Sequence, residues 1–496
     1  MRVVESSQTQ LGDLPIADIQ FNIKSRDDIP QLLRGLQFIY VNDELRRAVF
    51  TLLENHIQPD KSNHNGRPGI HLWSILVMGV LRLDLNWDYD RLHEQVNNHK
   101  TIRQMLGHAD FFDTHEYQLQ TLKDNVHLLT PELLDEINQV VVSSGHAIVK
   151  KKGKEVLRGR CDSFVVETNV HYPTDINILF DAMRKVITLT ARLCDAHDLS
   201  CWRQHAYNIR QVKKRMRIAQ LKKRGGGKTK EHKARRQSEI VEAHQQYIDT
   251  AQAYLTRARS SLDTLRAMAV FSTIQGLSEL EIRQYMIDAE RQIDQIQRRV
   301  IQGETIPHVE KVFSIFEPHT EWIVKGKAGI SQELGLRVCI MEDHHRFLLH
   351  HRVMKKQTDE LVAVLMVSET KARFSDFSTC SFDKGFHTPD NQTRLREILE
   401  VVALPRKGKR SKKVQALESS TEFQQAHNKH SAVESAINAL EVHGLDRCPD
   451  HGIAGFERYV ALSIVARNLQ RIGAILTDQE RARLERRRKK RLKQAA

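Results

Sequence analysis

Apolar residues recur along this chain in two rhythms. From Gln31 to about Gly107 the spacing is helical: Leu45, Val49 and Leu52 follow Asp43, a candidate N-cap, and a strongly apolar run from His71 to Leu83 carries Trp73, Ile75, Leu76, Val77 and Val80. Gly66-Arg67-Pro68-Gly69 reads as a turn, and Asn86 or Asp88 can cap a further helix with Tyr89, Leu92 and Val96. Helix is again predicted from about Thr114 to Ser144, ahead of a basic turn at Lys150-Lys151-Lys152-Gly153-Lys154. The rhythm then shortens. Strands are predicted at Val156–Thr168, at Leu334–Met341 and Arg346–Val353 as a hairpin, at Phe377–Phe386, and at Val401–Leu404. Helices are predicted at Lys355–Leu365, Asn391–Glu400 and Tyr459–Ala474. Between the first strand and the hairpin, Ile176 to about Gly303 is almost entirely helical. There Ile282, Met286, Ala289, Ile293, Ile296 and Val300 form a coiled-coil-like seam.

One stretch, Ala426–Glu457, carries two adjoining helical stripes. Val433, Ile437 and Leu440 are apolar; His427, Ser431, Glu434, Asn438 and Glu441 are polar, and Gly444 is a natural stop. Such a helix is either an ordinary amphipathic one with a solvated face or one that holds an acid at the lip of a core.

The predicted order is that of an α/β protein: a mixed five-stranded sheet with flanking helices, interrupted by a long helical insertion and preceded by an all-α region. The segments are 1–30, irregular; 31–145, helical; 150–475, the sheet-bearing domain, with 176–305 inserted in it; and 476–496, a basic tail. The helical 31–145 segment is either a helix-turn-helix-like DNA-binding unit or a plain packing domain.

Composition adds charge. The net formal charge is +14 over 496 residues, which points to a polyanionic partner, most often nucleic acid. The basic residues cluster between Lys213 and Arg236 and again between Arg481 and Lys493, a pattern that suits phosphate contacts without base reading. Gly225-Gly226-Gly227-Lys228-Thr229 is not a phosphate-binding loop, since Lys222 stands where the motif's first glycine belongs and no apolar strand precedes it. The six cysteines show no CxxC pair, which predicts free thiols. No run is long and apolar enough for a transmembrane helix, and Met1-Arg2-Val3-Val4-Glu5 lacks a signal-peptide core, so a cytoplasmic protein is expected.

Asp162 lies mid-strand, where aspartate is disfavoured and asks for a reason. With Asp383 on another strand and Glu434 on a later helix, it makes the set a two-metal phosphodiester site needs: hard oxygen ligands for Mg²⁺ ions about 3.5–4 Å apart. Four other acids compete. Glu167 points to the opposite face of its strand from Asp162. Asp175 lies in a turn, Asp343 in a solvent-facing hairpin bend, and Glu441 shares the stripe of Glu434.

Several blocks carry a resemblance. They are Cys161-Asp162-Ser163 on through Val166-Glu167-Thr168-Asn169 to Asp175; Phe316-Glu317-Pro318-His319-Thr320-Glu321-Trp322-Ile323 with Lys325-Gly326-Lys327; Asp383-Lys384-Gly385-Phe386; His430 to Asn438; and Gly455-Phe456-Glu457-Arg458-Tyr459. Together they resemble bacterial insertion-sequence transposases of the DDE class, the group called ISNCY, over nearly the whole chain. The resemblance implies an RNase H-like catalytic core, an end-binding N-terminal domain, and Asp162, Asp383 and Glu434 as catalytic and metal-binding residues. It also implies two Mg²⁺ ions, replaceable by Mn²⁺, and cleavage and strand transfer at the terminal inverted repeats of the element. Double-stranded DNA at the element ends and the target would be the partner, with a homodimer in the DNA complex and a nucleoid-associated location; the Ile282–Val300 seam is either one contact of that dimer or a face packed within the chain. Many related enzymes carry Tyr-x2-Arg-x3-Glu-x6-Lys around the glutamate; here those positions are His427, His430 and Glu441. His427 and His430 either replace the missing DNA-positioning side chains or are structural. Lys325, Lys327 and Lys384 either contact phosphate or are solvated. The rival readings are a nuclease that cuts without joining and a DNA-binding regulator with an inactive core.

Overall fold

The computed structural model describes residues 3–4, 14–58, 69–109, 113–150, 155–223, 229–268, 273–324 and 332–495. Seven helices come first: α1 (Ile29–Val41), α2 (Asp43–Ile57), α3 (Leu72–Asp84), α4 (Tyr89–Asn98), α5 (Lys100–Met105), α6 (Leu119–Val126) and α7 (Pro131–Val149). Strand β1 (Leu157–Thr168) follows, then helices α8 (Asp175–Asp195), α9 (His205–Lys223), α10 (Lys230–Ala267) and α11 (Thr273–Ile296). The chain returns to β2 (Glu321–Val324), β3 (Gln332–Asp343), β4 (Leu348–Met354), α12 (Asp359–Arg373), β5 (Phe377–Phe382), α13 (Pro389–Ile398) and β6 (Val401–Ala403). Helices α14 (Lys412–Glu418), α15 (Thr421–Asn428) and α16 (Ala432–Leu440) lead to β7 (Arg447–Cys448) and α17 (Gly452–Ala495).

The protein is a mixed α/β chain, with a seven-stranded sheet where five strands are expected. The path runs β2-β3-β1-β5-β6, with β4 on β3 and β7 on β1. The pairs β1–β3 and β3–β4 are antiparallel, while β5 and β7 run parallel to β1, and β6 runs parallel to β5. The two additional strands, β2 and β7, are four and two residues long, too short to show an alternating pattern.

The chain divides into two compact units, residues 1–169 with 323–496, and residues 170–322. In the first, one continuous apolar core joins the N-terminal helices to the sheet. Helix α3 explains why: it is apolar around most of its circumference, and every one of its residues is buried, as expected of a helix enclosed by others. It therefore offers no face to a DNA groove. Asn42 rather than Asp43 caps α2, accepting from the Glu44 and Leu45 amides, and Asp88 caps α4. Thr130 with Pro131 divides the helix expected over 114–144 into α6 and α7. The turn at 66–69 and the basic turn at 151–154 largely or wholly lie outside the described residues, as does the glycine-rich 225–228 segment.

Helix α17 is much longer than the predicted 459–474 and absorbs the expected tail, with Arg481 to Arg491 exposed along it. Where it crosses α1 the backbones touch. A Cβ on Gly35 would stand 2.1 Å from the Leu469 carbonyl oxygen, and one on Gly473 would stand 1.8 Å from that of Gln31. A buried amide pair ties α17 and α7 to β4: Asn468 Nδ2 donates to Asn138 Oδ1 (2.7 Å) and to the Leu348 carbonyl (2.9 Å), while Leu348 N–H donates to Asn468 Oδ1 (2.9 Å).

The second unit is helical. Leu179, Met183, Val186 and Ile187 of α8 share its core with Tyr247, Ile248 and Leu255 of α10. The predicted seam, Ile282, Met286, Ala289, Ile293 and Ile296, is buried in this same core, and Val300 packs against it. The seam is thus used inside the chain and is not a free face for a second copy.

The glycine crossing gives a direct test. Gly35→Ala should cost ~1–3 kcal/mol as an overpacked contact, read as a lower denaturant midpoint. A helical control such as Gly276→Ala, where a Cβ meets nothing within 4 Å, should leave the midpoint unchanged or raised.

Candidate carboxylate site

The β1–β5 pairing sets the site. The two strands are parallel, with Cys161 in register with Phe382, so the next residues along, Asp162 and Asp383, are neighbours. Asp162 is on β1, opposite Ile340 of β3. Asp383 is not on a strand: it stands one residue past β5 and caps a short 3-10 turn, its Oδ2 accepting from the Gly385 amide at 3.5 Å. Functional groups of parallel sheets gather at such carboxyl ends, where the strand has stopped but its direction still aims the side chain. Asp162 is half-buried and accepts from the Ser163 amide at 2.8 Å. Asp383 and Glu434 are exposed, Glu434 being in the first turn of α16.

These acids interact. The Asp162 carboxyl is pushed up to about 6, first by burial and then by Asp383, Asp359 and Glu434, against the Ser163 amide that favours the charge. A fourth carboxylate, Asp359 at the start of α12, thus belongs to the site. Its Oδ1 accepts from Ser163 Oγ at 2.6 Å, and its Oδ2 lies where a Cβ on Gly385 would be 2.8 Å away. Sequence reasoning missed it because an acid in the first turn of a helix is ordinary.

The helix read as one from Ala426 is broken. Helix α15 ends at Asn428 and α16 begins at Ala432, so His427 and Ser431 do not share a helix with Glu434. His427 is exposed and stacks on Phe423, ring centroids 5.9 Å apart. His430, in the break, meets Ser381 of β5, Nδ1 to Oγ 3.1 Å, and its Nε2 is buried without a hydrogen-bond partner. Burial holds its pKa below the usual value despite the pull of Asp383 and Glu434, so it is a neutral imidazole beside the acids. Lys384 is exposed next to Asp383, while Lys325 and Lys327 lie outside the described residues. Lys407, in the loop between β6 and α14, donates to the Gly385 carbonyl at 2.9 Å.

Three of the four competing acids are engaged elsewhere. Glu167 pairs with Arg447 (2.8 Å), on the other face of β1, and Asp175 pairs with Arg299 (2.8 Å) in the helical unit. Asp343 is not solvent-facing: it is fully buried, within 2.6 Å of His146 Nε2. Arg160, two residues before Asp162 and so on the same face, is committed to Glu342 at 2.7 Å.

The donor set fits a hard divalent cation. It is all oxygen, and its like charges raise Asp162 in the absence of a counter-ion. The three predicted ligands are not closed around a point, however. Among the described residues, the group whose donor atoms all lie within 4.8 Å of one another is Glu155, His344 and His345. No protein-family profile, curated protein or solved structure matches this chain. Among the described residues no helix is long and apolar enough to cross a membrane.

The raised Asp162 carboxyl fixes a pH dependence. Its folded value of about 6 exceeds the usual 3.8, so its contribution to stability is full below about pH 4 and is lost as pH rises through about 6. At ~1.4 kcal/mol per unit, the loss is at most ~3 kcal/mol. Asp162→Asn cannot ionise. Without divalent cations, its unfolding free energy relative to the natural chain should rise between pH 4 and 7, and added Mg²⁺ should narrow the gap.

Proposed function

We propose that this chain is a DNA transposase of the DDE class with an RNase H-like core, cutting the ends of its insertion sequence and joining them to target DNA. The observation that carries the reading is the gathering of Asp383, Asp359 and Glu434 around Asp162 where β1 passes the end of β5, close enough for their charges to act on its carboxyl. The same chain has exposed basic helices and a net charge of +14. Asp162, Asp383 and Glu434 would hold two Mg²⁺ ions, for which Mn²⁺ can substitute. The ions would supply Lewis-acid activation of a water or a 3′-hydroxyl and neutralise charge on the scissile phosphate.

The chain's own groups have definable tasks. Asp359 fixes the Ser163 hydroxyl beside Asp162. His430, neutral, can hydrogen-bond without adding a charge. Lys384 and Lys407 offer cations at the rim, and the exposed basic run of α17 offers phosphate contacts away from it. Double-stranded DNA is the partner in this reading, with two copies of the chain bringing two ends together in a nucleoid-associated complex.

Purified protein should nick DNA carrying the element ends only with Mg²⁺ or Mn²⁺ and should join the freed 3′ ends to a second duplex. Asp383→Asn and Glu434→Ala should each lower both rates at least ~10³-fold while leaving DNA binding intact. Activity undiminished in either variant would remove the site. Nicking without joining would leave a nuclease, and binding without either a regulator. Binding should also weaken with salt, log K falling by about 0.9 per phosphate contact against log salt; a flat response would contradict the role of the basic helices.

A further inference from the structure

We infer that Glu155, His344 and His345 form a binding site for a single divalent cation of the zinc class, apart from the carboxylate site and independent of the function proposed for it. Both imidazoles aim the same atom at one carboxylate oxygen: His344 Nε2 is 3.1 Å and His345 Nε2 is 3.6 Å from Glu155 Oε1. The rings are tilted 37° to one another, 4.0 Å between centroids. The first contact is a hydrogen bond; the second is too long to be one. His345 Nε2 is left buried with no hydrogen-bond partner, a state that protein interiors rarely leave unexplained. A cation placed among the three donors would satisfy it.

The surrounding structure holds the donors in place. The turn that carries both histidines is pinned by the buried Asp343, whose Oδ1 accepts from the His345 amide (2.8 Å) and the Phe347 amide (2.9 Å) while its Oδ2 meets His146. Arg471 Nε of α17 donates to the His345 carbonyl at 3.3 Å, and the Arg158 amide of β1 donates to His344 Nδ1 at 3.3 Å. Metal-binding turns need this kind of support, because ligands that must be ordered on binding lose affinity. The Arg158 contact also sets the tautomer. In the ion-free chain His344 carries its proton on Nε2 and donates it to Glu155. On binding, that proton passes to Nδ1, the Nε2 lone pair turns to the ion, and the long Arg158 contact is given up.

The donor types choose the ion. Two imidazole nitrogens and one carboxylate leave a fourth tetrahedral position for water and suit Zn²⁺ or its neighbours in the transition series. Mg²⁺ prefers the all-oxygen set around Asp162. Glu155 stands two residues ahead of β1, and Gly159 is in register with Asp343. The ion would therefore clamp the entry of the central strand to the β3–β4 turn, about 13 Å along β1 from Asp162 at 3.3 Å per residue.

Full-length protein, stripped with a chelator and titrated with Zn²⁺ at pH 7.5 against a chromogenic competitor, should take up one tight equivalent. Thousand-fold Mg²⁺ should not displace it. Glu155→Gln and His345→Ala should each weaken that equivalent by at least about 10-fold, whereas Asp162→Asn with Asp383→Asn should leave it unchanged. Zn²⁺ should raise the melting midpoint of the natural chain and not of Glu155→Gln, which lies outside the strand and stays informative even if His345→Ala misfolds. The absence of a tight equivalent, or equal uptake by Glu155→Gln, overturns the proposal.

Discussion

Asp162 has to be charged to hold a cation, yet it sits where charge is resisted. Its neighbours on the sheet are set by hydrogen-bond register: β3 on one side, β5 on the other, with Cys161 beside Phe382. That register leaves the carboxyl half-buried, and the acids that join it raise its pKa further. The nearby positive group on the same face, Arg160, is already neutralised by Glu342, and His430 is kept uncharged by burial. Lys384 and Lys407 are exposed at the rim of the site. Outside it, the exposed turns of α17 carry a surplus of positive charge. On the reading proposed above, acids gathered at one point of a strongly basic chain suit a polyanionic substrate and dications that bridge the two.

The helices before β1 are part of what makes the site stiff. Helix α7 and helix α17 both lie against β4, and the Asn138–Asn468 pair exchanges hydrogen bonds with the Leu348 backbone there. The glycines at the α1–α17 crossing allow the two backbones to meet directly. Because α3 is enclosed on all sides, the N-terminal helices and the sheet share one core, and a change in that core reaches the strand that carries Asp162.

The sequence made much of the sheet legible and rather less of the site. Five of the strands follow from clustered β-branched and aromatic residues between turn signals, and the long helical interruption follows from its unbroken period. β2 and β7 were invisible, since so few residues carry no period and neither is an apolar run closed by a proline, as the three-residue β6 is before Pro405. Asp343 was misplaced because a hairpin bend usually faces water; His146 on α7, almost two hundred residues away, supplies the partner that lets it be buried. The coiled-coil seam of α11 was correctly periodic, but periodicity does not say whether the covering helix is in the same chain, and here it is. Asp383 was read one residue too far into a strand because Phe382 and Phe386 bracket it with apolar residues.

The break between α15 and α16 shows why helical spacing alone misjudged the glutamate's surroundings. A continuous helix would carry His427, Ser431 and Glu434 on one stripe, with the histidine a full turn and more from the acid. Breaking the chain at 429–431 turns His430 back to the Ser381 hydroxyl on β5, while Glu434 stays in the first turn of the new helix. There the unpaired amides of the helix start favour its negative charge. The break thus gives the glutamate electrostatic support from its own backbone and leaves the neutral His430 between it and the end of β5.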